Sequence, residues 1–185
     1  MKTLFVLICI IGIGSANSNT ISSVNTLPQE YAQLQLLILK GINDIRDSNN
    51  VTQLVWNDVL SQAAYDQAKY IAKTGELGHN QNVVGKEKLR SRLEYFGLKM
   101  QGMAENAAFV LVQQNTKFKT ANGIDSVVVD TYPKLCKGLI TTWMYSAPHK
   151  SNIVHPKFKE TGLGFAYDST SHKMFAVQVF AYPYQ

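Results

Sequence analysis

Two histidines and a glutamate are the side chains with the clearest capacity for chemistry. His79 falls in a predicted loop, His149 immediately after a predicted helix end, and Glu105 in an apolar stretch. Taken alone, His79 is typical of a solvated loop histidine, and His149 of one that interacts with the dipole of a helix C-terminus. Glu105 alone is typical of a surface or capping acid, but an unpaired carboxylate among apolar neighbours is expensive to bury. His155 and His172 are interpreted as ordinary loop or turn histidines.

Nucleophilic catalysis has little support in the sequence. Cys136 lies beside apolar residues of a predicted helix, which favours a buried apolar role over a reactive thiol. Ser146 is close to His149 along the chain, but no Gly-x-Ser-x-Gly turn and no evident orienting acid accompany them. Neither residue therefore predicts a hydrolase by itself.

The first thirty residues resemble an export signal followed by a polar extension. Lys2 precedes an apolar run over residues 4–13, and small residues at 14–16 suit signal peptidase. We predict a signal peptide over residues 1–16, cleavage after Ala16, an extension over residues 17–30, and a secreted protein. The alternative is an uncleaved anchor, although the run is shorter than the roughly 20 apolar residues that span a bilayer. No later stretch is long enough to span a membrane.

Length and charge indicate one soluble domain over residues 31–185. The chain has 185 residues and a formal net charge of +5, spread as scattered lysines. A nucleic-acid-binding protein more often concentrates positive charge on one face, so no nucleic-acid partner is expected. With Cys9 in the predicted signal peptide, Cys136 remains the single cysteine of the mature chain, and no intramolecular disulfide is predicted. Asn50 begins the only glycosylation acceptor pattern, in a predicted loop.

Hydrophobic periodicity predicts helices in the first two thirds of the chain. A helix over residues 28–48 opens at Pro28, and a second begins at Asn57 as N-cap and ends near residues 73–75. A short helix is expected within residues 86–95, and a third long one runs from Pro133 to a stop at residues 146–148. These predicted helices place His79 just after the second helix and His149 just after the third long helix.

Strands are predicted mainly towards the C-terminus. Residues 109–112 form one strand, and residues 162–167 and 174–181 form two more, joined by a turn over residues 168–172. Residues 113–125 form a polar insertion, while residues 127–129 fit either a strand or a helix. The alternation in residues 174–181 predicts a sheet with one face against helices. Helices first and strands last favour an α+β fold.

An ordered set of short motifs extends along most of the chain. Its elements are Ile42-Asn43-xx-Arg46, Leu54-x-Trp56-Asn57, Ala64-xxx-Ala68-xxx-Ala72, His79, Ala104-Glu105-Asn106, Trp143-Met144-x-Ser146, His149-Lys150-x-Asn152-Ile153, Phe158 and Gly162-x-Gly164. In this order the motifs resemble the CAP superfamily, which unites cysteine-rich secretory proteins, antigen 5 and plant pathogenesis-related proteins. The match covers the chain from about Leu34 to Phe180.

The resemblance implies a three-layer α-β-α sandwich with a mostly antiparallel central sheet and a wide cleft. His79, Glu105 and His149 occupy the positions that line this cleft. Two neutral imidazoles and a carboxylate suit zinc, with solvent in an open position. We therefore predict these three residues as metal ligands and zinc as the cofactor, on the condition that they meet in space.

This chain departs from the family pattern next to His149. Ser146 stands where the disulfide-rich branch has a second acid, and Lys150 replaces an arginine, which removes bidentate donation. Pro148 replaces a glycine, and its fixed φ affects the aim of the imidazole. Ala104 replaces another glycine, a milder change.

Two function classes follow from these observations. The favoured one is a secreted, monomeric binding or effector module that engages a divalent metal, a lipid or sterol, or a protein partner, without catalysis. The alternative is a zinc-dependent hydrolase in which His79 and His149 hold the metal and Glu105 is the general base. Ser146 in place of a second carboxylate weakens the alternative, because a spare base is then missing.

Overall fold

The computed structural model describes residues 31–120 and 123–184. The predicted signal peptide, the N-terminal extension and the predicted helix start at Pro28 lie outside these residues. The helices are α1 (Ala32–Ser48), α2 (Asp58–Thr74), α3 (Leu89–Tyr95), α4 (Tyr132–Met144) and α5 (Ala147–Ile153). The strands are β1 (Val55–Trp56), β2 (Gly102–Leu111), β3 (Asn115–Thr120), β4 (Gly123–Val128), β5 (Glu160–Asp168) and β6 (Lys173–Tyr182).

A four-stranded sheet with the order β1-β5-β6-β2 forms the centre of the domain. β5 and β6 pair antiparallel across the predicted C-terminal turn, β6 pairs antiparallel with β2, and only the two-residue β1 runs parallel to its neighbour. In this register Glu105 of β2 lies opposite Val179 of β6. The expected α+β fold with a mostly antiparallel central sheet is confirmed.

Helices cover both faces of the central sheet. Met174, Ala176 and Phe180 of β6 share one core with residues of α1 and α4. Phe175 and Val177, which alternate with them, share a second core with residues of α2 and α3. The expectation that these strands have only one face against helices is therefore wrong, and the three-layer sandwich is confirmed.

The start and the position of α2 follow from a few residues. The side chain of Asn57 accepts hydrogen bonds from the backbone N–H groups of Val59 and Leu60, as predicted for an N-cap. At Gly162 and Gly164 of β5, an added Cβ would overlap the backbone of α2. The two glycines therefore allow the helix backbone to lie directly on the sheet.

The polar insertion is more regular than its sequence predicts. β3 and β4 form an antiparallel hairpin in which Thr116 pairs with Val127. Residues 127 and 128 belong to β4, which settles the choice between strand and helix in favour of strand for them. Val127 packs against the core on the α1 and α4 side of the sheet, while Val128 is exposed. Cys136 is buried on α4, as expected.

Candidate functional site

Glu105 lies in the middle of β2 and is paired with a buried arginine. Its side chain is only 3% exposed, and that of Arg92 on α3 is fully buried. One terminal nitrogen of Arg92 donates to Glu105 Oε2 at 2.5 Å, and the other donates to the backbone oxygen of His79 at 2.9 Å. Arg92 thus neutralises the carboxylate and fixes the backbone of the neighbouring loop.

His79 contacts the second oxygen of the same carboxylate. Its Nδ1 lies 2.9 Å from Glu105 Oε1, while its side chain remains 54% exposed. The loop around it is held from α2, because the buried Gln67 donates through Nε2 to the oxygen of Gly78. Gln81 in turn donates to Gln67 Oε1. With Nδ1 against the carboxylate, the Nε2 edge of His79 is the edge left for a ligand.

The electrostatics of His79 follow from these contacts. The hydrogen bond with Glu105 raises the pKa of His79 above its usual value of 6.5. Desolvation and the positive charge of Arg92 act in the opposite direction, and the charge of Glu105 reinforces the increase. The site therefore favours the protonated form of His79 more than water does.

His149 lies past the end of α4, as the sequence predicts, but in a further helix that the sequence does not predict. It belongs to the first turn of α5, which follows closely after α4. Ser146 is the N-cap residue of α5, and Pro148 falls in the opening positions of the helix. Proline is well tolerated there, because its fixed φ is helical and its missing N–H would have no helical partner.

Asn106 links the turn that carries His149 to the central sheet. The buried Asn106 donates through Nδ2 to the backbone oxygen of His149 at 3.1 Å. Its Oδ1 accepts from Asn152 Nδ2, one turn further along α5, at 2.8 Å. Since Asn106 directly follows Glu105 on β2, adjacent residues of one strand contact the histidine-bearing segments.

The imidazole of His149 has the opposite electrostatic character to that of His79. Burial lowers the pKa of His149, and the positive charge of His79 lowers it further. His149 Nδ1 is buried and has no hydrogen-bond partner among the described residues. The described residues contain no group of three or more His, Cys, Asp and Glu side chains arranged to hold a metal ion. Zinc binding by His79, Glu105 and His149 therefore stays a prediction.

Sequence reasoning missed Arg92, the residue that neutralises Glu105. A signal for it is present: Leu89, Arg92, Leu93 and Phe96 follow the spacing of one helix face, and the first, third and fourth pack in the core on the α2 side. An arginine within such an apolar stripe requires a buried acceptor or carboxylate.

The comparisons with known proteins identify the family. A model of the cysteine-rich secretory protein family, CAP, matches residues 39–180. The chain belongs to the CAP family. Curated protein sequences contain no match to it. Among the described residues of this CAP domain, no helix has the length and apolar character needed to cross a bilayer.

Solved CAP structures share the fold at low sequence identity. An extracellular SCP-domain protein from Bacillus anthracis is 20% identical, with a TM-score of 0.62 over 85% of this chain and 44% of its own length. An outer surface protein from Borrelia burgdorferi is 14% identical, with a TM-score of 0.63 over 83% of this chain and 96% of its own. The CAP domain of enterococcal PrgA is 19% identical, with a TM-score of 0.56 over 86% of this chain and 64% of its own. The chain thus spans less than half of the Bacillus protein.

Proposed function

We propose that this CAP protein is a secreted, non-catalytic binding module whose recognition site is the exposed side chain of His79, held in place by the buried Glu105–Arg92 pair, with His149 beside it. One observation carries the proposal: the Glu105 side chain is only 3% exposed, and its two carboxylate oxygens already contact Arg92 and His79. A general base needs a carboxylate that is available to take a proton from water. A third metal ligand needs a free oxygen lone pair directed at the ion.

Binding rather than proton transfer suits the charge arrangement of this site. The buried guanidinium of Arg92 pairs with the carboxylate of Glu105, and the carboxylate in turn orients His79. The exposed Nε2 edge of His79 then offers a donor to an acidic group of a lipid or protein partner. The same edge, when neutral, offers one nitrogen ligand to a divalent cation, with His149 as the other candidate ligand.

Zinc titration by calorimetry tests the non-catalytic assignment. The protein, His79→Ala and a matched control, His172→Asn, are titrated while peptide and ester turnover are measured in parallel. His172 lies in the β5–β6 turn at φ +54°, a conformation that asparagine tolerates, so the control removes an imidazole outside the site. We expect no metal-dependent turnover in any of the three proteins. Tight zinc binding with turnover, both lost only in His79→Ala, would establish the hydrolase instead.

Secretion and ligand retention are tested on the same proteins. Expression of the full chain in a secreting host should release a product whose N-terminal residue is Asn17. Mass spectrometry of compounds that co-purify with this product should find a lipid or sterol that is retained by His172→Asn and depleted in His79→Ala. Equal retention by both variants would place the ligand elsewhere on the domain.

A further inference from the structure

A cavity lies on the α2 and α3 side of the domain, among residues that do not belong to the His79 site. Its volume is about 340 Å³, and it lies between α2, the segment before α3 and the end of α3. Gln62, Tyr65 and Lys69 line it from α2, and Tyr95 lines it at the end of α3. This volume is within the range of about 300–1,000 Å³ that is usual for small-ligand pockets.

The floor of this α2–α3 groove is fixed by an ion pair with little exposure. Lys86 Nζ lies 2.7 Å from Asp66 Oδ1, and the side chain of Lys86 is 15% exposed. The same ammonium lies 4.2 Å from the ring centre of Tyr95 and 5.2 Å from that of Phe96. Asp66 Oδ2 accepts from Gln81 Nε2 at 2.9 Å. Both charges are therefore satisfied internally, and the groove is held in shape without a ligand.

The polar groups along the rim of the groove do not form such internal ion pairs. Lys69 is exposed, and its ammonium lies 5.3 Å from the ring centre of Tyr65. Within the described part of the chain, no carboxylate lies within ion-pair distance of Lys69. Gln62 is exposed, and Tyr95 has 61% of its surface exposed. The groove thus presents one unpaired cation, one amide and accessible aromatic surface.

We propose that the α2–α3 groove binds an acidic saccharide, a sugar ring that carries a carboxylate of the uronic-acid type. The apolar face of the sugar ring packs on Tyr95, its carboxylate pairs with Lys69, and its hydroxyl groups bond to Gln62. An apolar ligand fits less well, because its burial would desolvate the charged rim without replacing the hydrogen bonds to water. A neutral sugar would leave the cation of Lys69 without its strongest kind of partner.

NMR titration of the secreted protein with glucuronic acid tests the groove. Glucose serves as the neutral analogue, and benzoate as a carboxylate on a ring without hydroxyl groups. We expect saturable shifts at groove residues with glucuronic acid, and weaker binding of both analogues. Lys69→Gln should weaken glucuronic acid binding about two- to fivefold, the change expected for the loss of a solvent-exposed ion pair. It should leave glucose binding unchanged.

Matched variants separate this proposal from a general charge effect and from the His79 site. Lys73→Gln removes an exposed lysine of α2 that does not line the groove and should bind as the unmodified protein does. Tyr95→Ala should abolish binding while thermal unfolding shows an intact fold, and His79→Ala should leave binding unchanged. Absence of saturable shifts, equal effects of Lys69→Gln and Lys73→Gln, equal binding of benzoate, or loss of binding in His79→Ala would each overturn the proposal.

Discussion

Replacing Arg92 with methionine tests the central ion pair most directly. The guanidinium is fully buried and donates both to the carboxylate of Glu105 and to the backbone of His79. Removing one partner of a buried pair costs about 3–5 kcal/mol, because the other charge is left without compensation. This is a large part of the roughly 5–15 kcal/mol that stabilises a typical domain. At about 2–4 °C per kcal/mol, Arg92→Met should lower the melting temperature by about 6–20 °C.

Urea unfolding at neutral pH, followed by circular dichroism, measures the loss in free energy of unfolding. Arg90→Met is the matched control, since Arg90 is exposed on the same helix and, among the residues that the structure describes, donates only to the oxygen of Met100. The double variant Arg92→Met, Glu105→Gln removes the uncompensated charge as well, so it should be more stable than Arg92→Met alone. The reasoning is refuted if Arg92→Met is no less stable than Arg90→Met, or if the second substitution destabilises it further.

Two further predictions concern the histidines and the glycines under α2. The raised pKa of His79 stabilises the folded state below about pH 6.5, and this contribution is lost as the pH rises through the pKa of the folded state. The lowered pKa of His149 has the opposite effect, because it destabilises the folded state as the pH falls below about 6.5. NMR titration should therefore find a higher pKa for His79 than for His149, and the reverse order would contradict the site geometry. The variant Glu105→Gln should lower the pKa of His79. Gly164→Ala should lower the free energy of unfolding by about 3 kcal/mol, because the added Cβ overlaps the α2 backbone. Gly78→Ala, which meets nothing within 4 Å, should differ little in urea unfolding.

The fold was largely predictable because its elements carry local signals. Asn57 caps α2 as its position before an apolar stripe predicts, and Gly75 ends that helix in the left-handed conformation. The β3–β4 hairpin was missed because short polar strands have no apolar alternation to reveal them. The second buried face of β6 was missed for a related reason, since a strand covered on both sides loses the contrast between its two faces.

The candidate site was predictable only as a set of residue types. His79 and Glu105 were identified from the family resemblance, and the structure brings them into contact. Arg92 was missed because its partner is 13 positions away in sequence and on another element. The helix end before His149 was predicted close to the observed end of α4 at Met144. The helix α5 that carries His149 was missed because Pro148 was interpreted only as a helix stop, although proline is equally suited to opening a new helix.

The two histidines have opposite relations to their surroundings, and this difference bears on the choice between binding and catalysis. A metal-activated hydrolase needs both imidazoles neutral and a carboxylate free to accept a proton. Here the contact with Glu105 favours the protonated form of His79, and Arg92 competes with water for the same carboxylate. A cation would have to displace the proton of His79 and draw on His149, whose Nδ1 is buried. An incoming acidic group, in contrast, meets an imidazole that Glu105 already orients, so recognition needs no rearrangement of the buried ion pair.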